Sequence, residues 1–425
     1  MPILTSHLNS RIFTRAVFLV SSFFLFPTSL FADWAGAVKK PSTIEKSGKT
    51  FYEIEAPENL AWFATQVNKG NTSYNAILKN NIAIIDSSIT ENSINWTPIG
   101  SDSTENTRYK GVFDGNGFTI SGIYSKADYA GLFGVVDSGA VIKNLSVENI
   151  RLKSNGKSSV GERRPVGGIA NVFGGDSLLN CTFNAKSVFI DSASFGGLVG
   201  LLNSPNAIID NALSQGTFVR GSEISPSFYI GMAGIAAVVR SSKLKVRNSK
   251  NYTFSEVGSG KTSNYRGVHD AGFIYKVTNS DVSFENSENN ASIDSVLADI
   301  SGFVKLASSS KISFLNSSNN GSFTTYDGLA SGFVTTCSNK GTLIFESSYN
   351  NGNIASRKTS DSGYLSYATI AGGFVGSNAG CSMHFENSVN DGEINAGHAG
   401  GFVGENRTKI DFYDCINRGK ITSIN

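Results

Sequence analysis

The octet AGGFVGSN, Ala371–Asn378, returns 28 residues later as AGGFVGEN, Ala399–Asn406. Weaker copies, each a glycine followed by two or three apolar residues, lie at Gly131, Gly168, Gly197, Gly234, Gly272, Gly302 and Gly332. With Gly373 and Gly401 the chain carries nine. Their spacings are 37, 29, 37, 38, 30, 30, 41 and 28 residues. A shortest period with variable excess is the mark of a stacked solenoid, in which each unit buries what its neighbour exposes and the excess goes into loops.

A second element follows each glycine copy and is sharpest late in the chain, as in ISFLNSSNNGSF, LIFESSYNNGNI and MHFENSVNDGEI. Alternation of apolar residues, Ile312 with Phe314 or Met383 with Phe385, predicts a strand with one buried face. Gly321, Gly352, Gly392 and Gly419 read as turns, and Ile354, Ile394 and Ile421 as the start of the next strand. Stacking places equivalent residues above one another. Phe284, Phe314, Phe345, Phe385 and Phe412 then form an aromatic ladder, and Asn251, Asn289, Asn319, Asn350, Asn390 and Asn417 an amide ladder. An Asn side chain both donates and accepts, so such a column satisfies itself along the axis, a structural role that outweighs ligand binding. The octet's paired glycines let the backbone turn sharply or lie against the next coil, with the following Phe and Val expected on opposite faces.

The elements GLFG, GGLVG and GGFVG, each followed by an IKNLSVENI-type or NSxNNGxI-type segment, resemble the GLUG motif, a short repeat of bacterial exported proteins that include some IgA-cleaving peptidases. The segment FYEIEAPENLAWFATQVNKGN through YKGVFDGNGFTISGIY resembles the leader that precedes such repeats in large surface proteins. The resemblance covers nearly all of the chain beyond residue 32 and implies a right-handed parallel β-helix with a surface or adhesive role. The copies at Gly234, Gly272, Gly302 and Gly332 lack the motif's final glycine. The expected fold is therefore all-β: a right-handed parallel β-helix of about nine GLUG-like repeats with a short N-terminal helical cap. Residues 33–125 form the capping region and first strands, and residues 126–425 the repeat helix. In the cap, Pro57 and Glu58 suit a first helical turn, Leu60, Phe63, Ala64 and Val67 share a face, and Gly70 ends it. Such a helix would cover the open N-terminal end of the sheets. At the other end GKITSIN stops where the next glycine element is due, which predicts either a truncated chain or another cover for the last coil.

Residues 1–32 read as a secretory signal peptide: Arg11 and Arg15, the apolar run Ala16–Phe26, Pro27, and a cleavage point after Ala32. The run is short for a bilayer span, and no later stretch approaches the roughly 18 apolar residues a transmembrane helix needs. The expected location is secreted or cell surface. A net charge of +2 and 16% charged residues give no nucleic-acid surface.

The search for chemistry assigns no catalytic, cofactor or metal residue. SEVGSGKTSN imitates a phosphate loop at Gly260, Lys261 and Thr262, but Ser255 stands where its first glycine belongs and no helix follows, so no nucleotide is expected. His269, His384 and His398 match no zinc-protease pattern. Asp114, in FDGNG, reads as a turn cap. Glu285, Glu346 and Glu386 alternate with inward phenylalanines and read as a solvated stripe, although a glycan-cleaving β-helix would need only a few such acids on one face. Cys181 and Cys415 occupy a small-residue position held elsewhere by Ser287, Ser317 and Ser388, too many coils apart to bond. Cys337 and Cys381 lie in neighbouring repeats, but eight and four residues before Phe345 and Phe385, a register that disfavours a bridge.

The function expected is an exported non-catalytic adhesin or interaction module for a surface glycan or protein. The alternative is a polysaccharide-binding or polysaccharide-cleaving β-helix. Binding loops are expected where the period stretches: Ser154–Arg164, Gly221–Phe228, Ser255–Tyr265 and Ala355–Tyr367.

Overall fold

The computed structural model describes residues 33–102, 104–154, 165–190, 194–220, 230–256, 268–296, 298–358 and 369–424. Residues 1–32, read from the sequence as a signal peptide, Gly260, Lys261 and Thr262 of the phosphate-loop look-alike, and most of each expected insertion loop lie outside them. Among the described residues no helix is long and apolar enough to cross a membrane.

One period of the octet is one coil. From Val375–Asn378 the chain passes through Ser382–Glu386, Val389–Asn390, Ile394–Ala396 and His398–Gly400, each in a different sheet, and returns as Val403–Asn406 beside its starting strand. The result is a parallel β-helix with sheets of 13, 11, 9, 8 and 5 described strands. The nine-stranded sheet takes one strand from behind each glycine copy, from Phe133–Val136 to Val403–Asn406. Copies without the final glycine keep the same register, Ile274 on Val304 and Val304 on Val334. The thirteen-stranded sheet adds four strands from the leader, Thr43–Lys46, Lys49–Ile54, Asn75–Leu78 and Val112–Asp114; the first two form an antiparallel hairpin.

Helix α1, Pro57–Asn68, forms as its pattern predicts, burying Leu60, Phe63, Ala64 and Val67. Phe63 meets Tyr109 and Phe113 of the first coils edge-on at 6.0 and 6.1 Å. The Asn68 side chain pins the helix end, donating to Pro98 O and accepting from Gly100 N–H. Gly70, at φ +105°, then turns the chain away.

The aromatic ladder is present and doubled. Phe284, Phe314, Phe345, Phe385 and Phe412 stack with centroids 4.6–5.0 Å apart, close to the spacing of the strands that carry them. The octet phenylalanines Phe273, Phe303, Phe333, Phe374 and Phe402 form a second stack at 4.7–5.0 Å, meeting the first edge-to-face. The expectation that the octet's Phe and Val face opposite ways is therefore wrong: Phe374 and Val375 are both buried completely. The Gly-Phe pair forms a bend between two sheets, so strand alternation does not apply across it. Each buried phenylalanine contributes about 1.5–3 kcal/mol from burial alone.

The amide ladder also forms. Each Nδ2 donates to the Oδ1 of the next coil at 2.7–2.8 Å from Asn251 through to Asn417. Each also donates to the carbonyl two residues on, as Asn350 does to Gly352 at 3.0 Å. The octet's second glycine serves this ladder. A Cβ on Gly332 would come closer than 3.0 Å both to Asn350 Oδ1 and to the carbonyl oxygen of Gly373 in the next coil. The glycine column and the amide column are thus one packing unit written in two parts of the repeat.

At an outer corner Asn144, Asn180, Asn211, Asn248 and Asn286 all sit at φ 49–52° or 53°, the left-handed conformation that Asn tolerates best after Gly. Their amides link from coil to coil, Asn180 to Asn144 at 2.8 Å and Asn211 to Asn180 at 2.9 Å.

Cys181 is a buried free thiol, pushed up to about 12 by that burial, and Cys415 is a partly exposed one. Both thiols point at the carbonyl two residues back, as the hydroxyls of Ser287, Ser317 and Ser388 do. Cys337 and Cys381, by contrast, are disulfide-bonded, with Cα atoms 5.9 Å apart, which corrects the register argument. That argument compared positions along one strand, whereas this bridge crosses a corner. Cys337 lies near the end of the strand Val334–Ser338, and Cys381 precedes Ser382–Glu386 of the next coil. Cys381 stacks on Gly341, where a Cβ would crowd both sulfurs. Replacing both cysteines by serine removes a cross-link spanning 44 residues. The chain-entropy relation sets the expected loss at about 4 kcal/mol, read as a lowered urea midpoint relative to the oxidised parent. Equal midpoints would mean that the bridge adds nothing to the fold.

Candidate functional site

Most polar residues singled out by the sequence hold the coil together. Asp114 ends the strand Val112–Asp114, buried just before the turn, where its carboxylate accepts from Asn116 N–H at 3.0 Å and Asn144 Nδ2 at 2.9 Å, with Lys143 and Lys46 ammonium groups at 3.4 and 3.6 Å. Burial alone would raise its pKa. The hydrogen bonds from Asn144 and Asn116 and the charge of Lys143 outweigh that and hold it below the usual carboxylate value. A depressed folded pKa gives stability that is present above the ordinary carboxylate value and is lost as pH falls through the folded one. Asp114→Asn is therefore expected to cost about 1–3 kcal/mol at neutral pH and progressively less in acid, as the parent loses the same charge. Urea midpoints of both proteins across that range check it; a gap that widens on acidification contradicts it.

Glu285, Glu346 and Glu386 share one column on the outer wall, with Leu315 interrupting it. Glu285 lies 3.9 Å from Lys245, and Glu386 lies 3.6 Å from His384. Catalytic carboxylates act as a pair in unlike surroundings. Glu346 and Glu386 stand alike on an exposed wall. His398 is exposed, and His269 lies in the strand Val268–Ala271. Among the described residues no group of three His, Cys, Asp or Glu side chains is placed to hold a metal ion.

Among the described residues a concave feature lies elsewhere, in the leader. Strands Lys49–Ile54, Asn75–Leu78 and Val112–Asp114 run side by side in parallel, and the residues at their starts form a corner that climbs from coil to coil. Along it runs an open groove of about 550 Å³, within the ~300–1,000 Å³ range of small-ligand sites. Gly111 and Gly139 help to line it, and a Cβ on Gly111 would strike the Tyr74 carbonyl. Tyr52 and Tyr74 line it with rings 4.8 Å apart, and Trp62 of helix α1 backs Tyr52 at 5.1 Å. Burial and the hydrogen bond with Tyr74 push the Tyr52 phenol up to about 12, so it is protonated at neutral pH. Lys49 and Lys110 bring positive charge to the lining, which contains no carboxylate. Lys110 Nζ lies 3.6 Å from Asp137, outside the lining. Asn75 is committed to the scaffold: its amide donates to Thr50 O and accepts from Val112 N–H.

Sequence reasoning searched the repeats and passed over these residues, because nothing in KTFYEI or NTSYN repeats. The usable signal was the reverse of periodicity: lysines and tyrosines without copies, in a leader that departs from the repeat.

No family model matches the chain, and no curated protein matches it. Among solved structures it is similar to a protein from Bacteroides ovatus described as a "putative immunoglobulin A1 protease". The two share 14% identity over 91% of this chain and 86% of that one, with a TM-score of 0.38.

Proposed function

We propose that this chain is an exported, non-catalytic β-helical surface protein that acts as an adhesin or interaction module for a surface glycan or protein. The observation that carries the reading is where the polar chemistry goes. Residues that recur from coil to coil, the buried Asn and Ser columns, bond to neighbouring backbone and to one another. The recurring glutamates face solvent, and the groove offers aromatic, hydroxyl and ammonium groups suited to holding a ligand. The resemblance to GLUG-motif repeats agrees with this role. A disulfide between Cys337 and Cys381 supports an oxidising, extracellular setting for the chain.

The alternative, a polysaccharide-active β-helix, gains support for its binding half from the same groove. Incubating the purified chain with soluble and insoluble glycans and matrix proteins, and reading retention and released products in the same tubes, separates the two. Retention on one partner without product is expected. New reducing or unsaturated ends, lost when the protein is denatured, would replace the module by an enzyme.

A further inference from the structure

We infer that the leader groove binds an acidic saccharide, a sugar chain bearing carboxylate or sulfate groups; this rests on the binding-module reading and names its ligand class. Tyr74, half-buried and backed by Tyr52 with Trp62 behind it, brings aromatic rings with polar rims to the lining, the kind of surface on which the C–H face of a pyranose packs while its hydroxyls stay hydrogen-bonded. Ser73 places a hydroxyl beside those rings, while the Thr50 hydroxyl is donated to the Glu45 carboxylate. Lys49 is exposed and makes no ion pair among the described residues, and Lys110 is held only by the 3.6 Å contact with Asp137, so both ammonium groups are available to an anion. The lining itself carries two lysines and no carboxylate, with Glu45 on the Thr50 hydroxyl and Asp137 beside Lys110 lying just outside it, so the attraction for an anion comes from Lys49 and Lys110.

An acidic peptide fits the charge but not the backbone. Extended peptides are captured by adding a strand to a free sheet edge. Here Lys49–Ile54 is paired on both sides, as are Asn75–Leu78 and Val112–Asp114, so the groove offers no free backbone ladder. It runs along the axis and crosses successive coils, which suits a chain read residue by residue through its substituents.

The test is a calorimetric titration of the intact protein with trigalacturonate, a sulfated heparin tetrasaccharide, the carboxyl-reduced trisaccharide and hexaglutamate. Binding of at least one acidic sugar is expected, with the reduced sugar and hexaglutamate weaker by about tenfold or more, and with affinity falling as salt rises. Which acidic sugar binds tells carboxylate from sulfate recognition. The double variant K49Q/K110Q should lose about tenfold for the acidic sugar, and Tyr74→Leu should lose binding of sugars generally. Both lysines are at the surface, and an unchanged unfolding midpoint shows the double variant folded. Equal binding of the reduced sugar, tighter binding of hexaglutamate, or no binding of any acidic sugar overturns the inference. Retention on another surface that K49Q/K110Q leaves unchanged would overturn the groove assignment while leaving the binding-module reading intact.

Discussion

Replacing Asn350 by leucine is expected to destabilise the coils around it by about 3–5 kcal/mol. The side chain accepts from Asn319 at 2.8 Å and donates to Asn390 at 2.7 Å and to Gly352 O at 3.0 Å, all in the buried interior. Leucine matches its size but leaves Asn390 Oδ1 and the Gly352 carbonyl without these donors, each at about 1–3 kcal/mol for a buried polar group. It also presses methyl groups on Gly332, which already faces Asn350 Oδ1 at close range. Solenoid stability is close to a sum of coil energies and nearest-neighbour terms, so the loss should be local as well as global. Faster amide exchange in Tyr349–Ile354 and Val389–Ile394, with a lowered urea midpoint, is the expected readout. A loss below about 1 kcal/mol would mean that the ladder accompanies the fold without holding it.

Gly332→Ala tests the other half of the same unit and should cost about 3 kcal/mol or more, at the top of the range for overpacking. One methyl would meet the Gly373 carbonyl and Asn350 Oδ1 together, so two coils must move apart or the amide must leave its column. Gly380→Ala is the matched control. Its nearest atom would be Asn339 N at 3.5 Å, an ordinary contact, and it should change the midpoint little. Similar losses for the two would show that alanine is poorly tolerated for reasons other than coil spacing.

The architecture was legible because repetition within one chain does the work of an alignment. Nine glycine copies became the nine strands of one sheet, and the Phe284 and Asn251 series became columns with the members read from the sequence. Helix α1 was legible from Pro57, a single apolar face and Gly70. Corners were not. Period-two alternation describes a strand and fails at a bend, so the common burial of Phe374 and Val375 was misread. The bridge between Cys337 and Cys381 was misread for the same reason. The link between Gly332 and Asn350 was hidden because its partners lie in different elements of the repeat and meet only when the coil closes. The groove was hidden by its singularity: Lys49 with Tyr52, Tyr74 and Lys110 come from three separate stretches and have no copies.

On the proposed reading, the polar residues of this chain divide into those that hold coils together and those available to a ligand. One paired measurement tests that division: affinity for the acidic sugar and the urea midpoint, determined side by side for K49Q/K110Q and Asn350→Leu. The groove variant is expected to lose affinity by about tenfold with its midpoint unchanged, while the ladder variant loses stability and, under conditions where it remains folded, keeps its affinity. Loss of affinity in Asn350→Leu with an unchanged midpoint, or full affinity in K49Q/K110Q, would contradict that division.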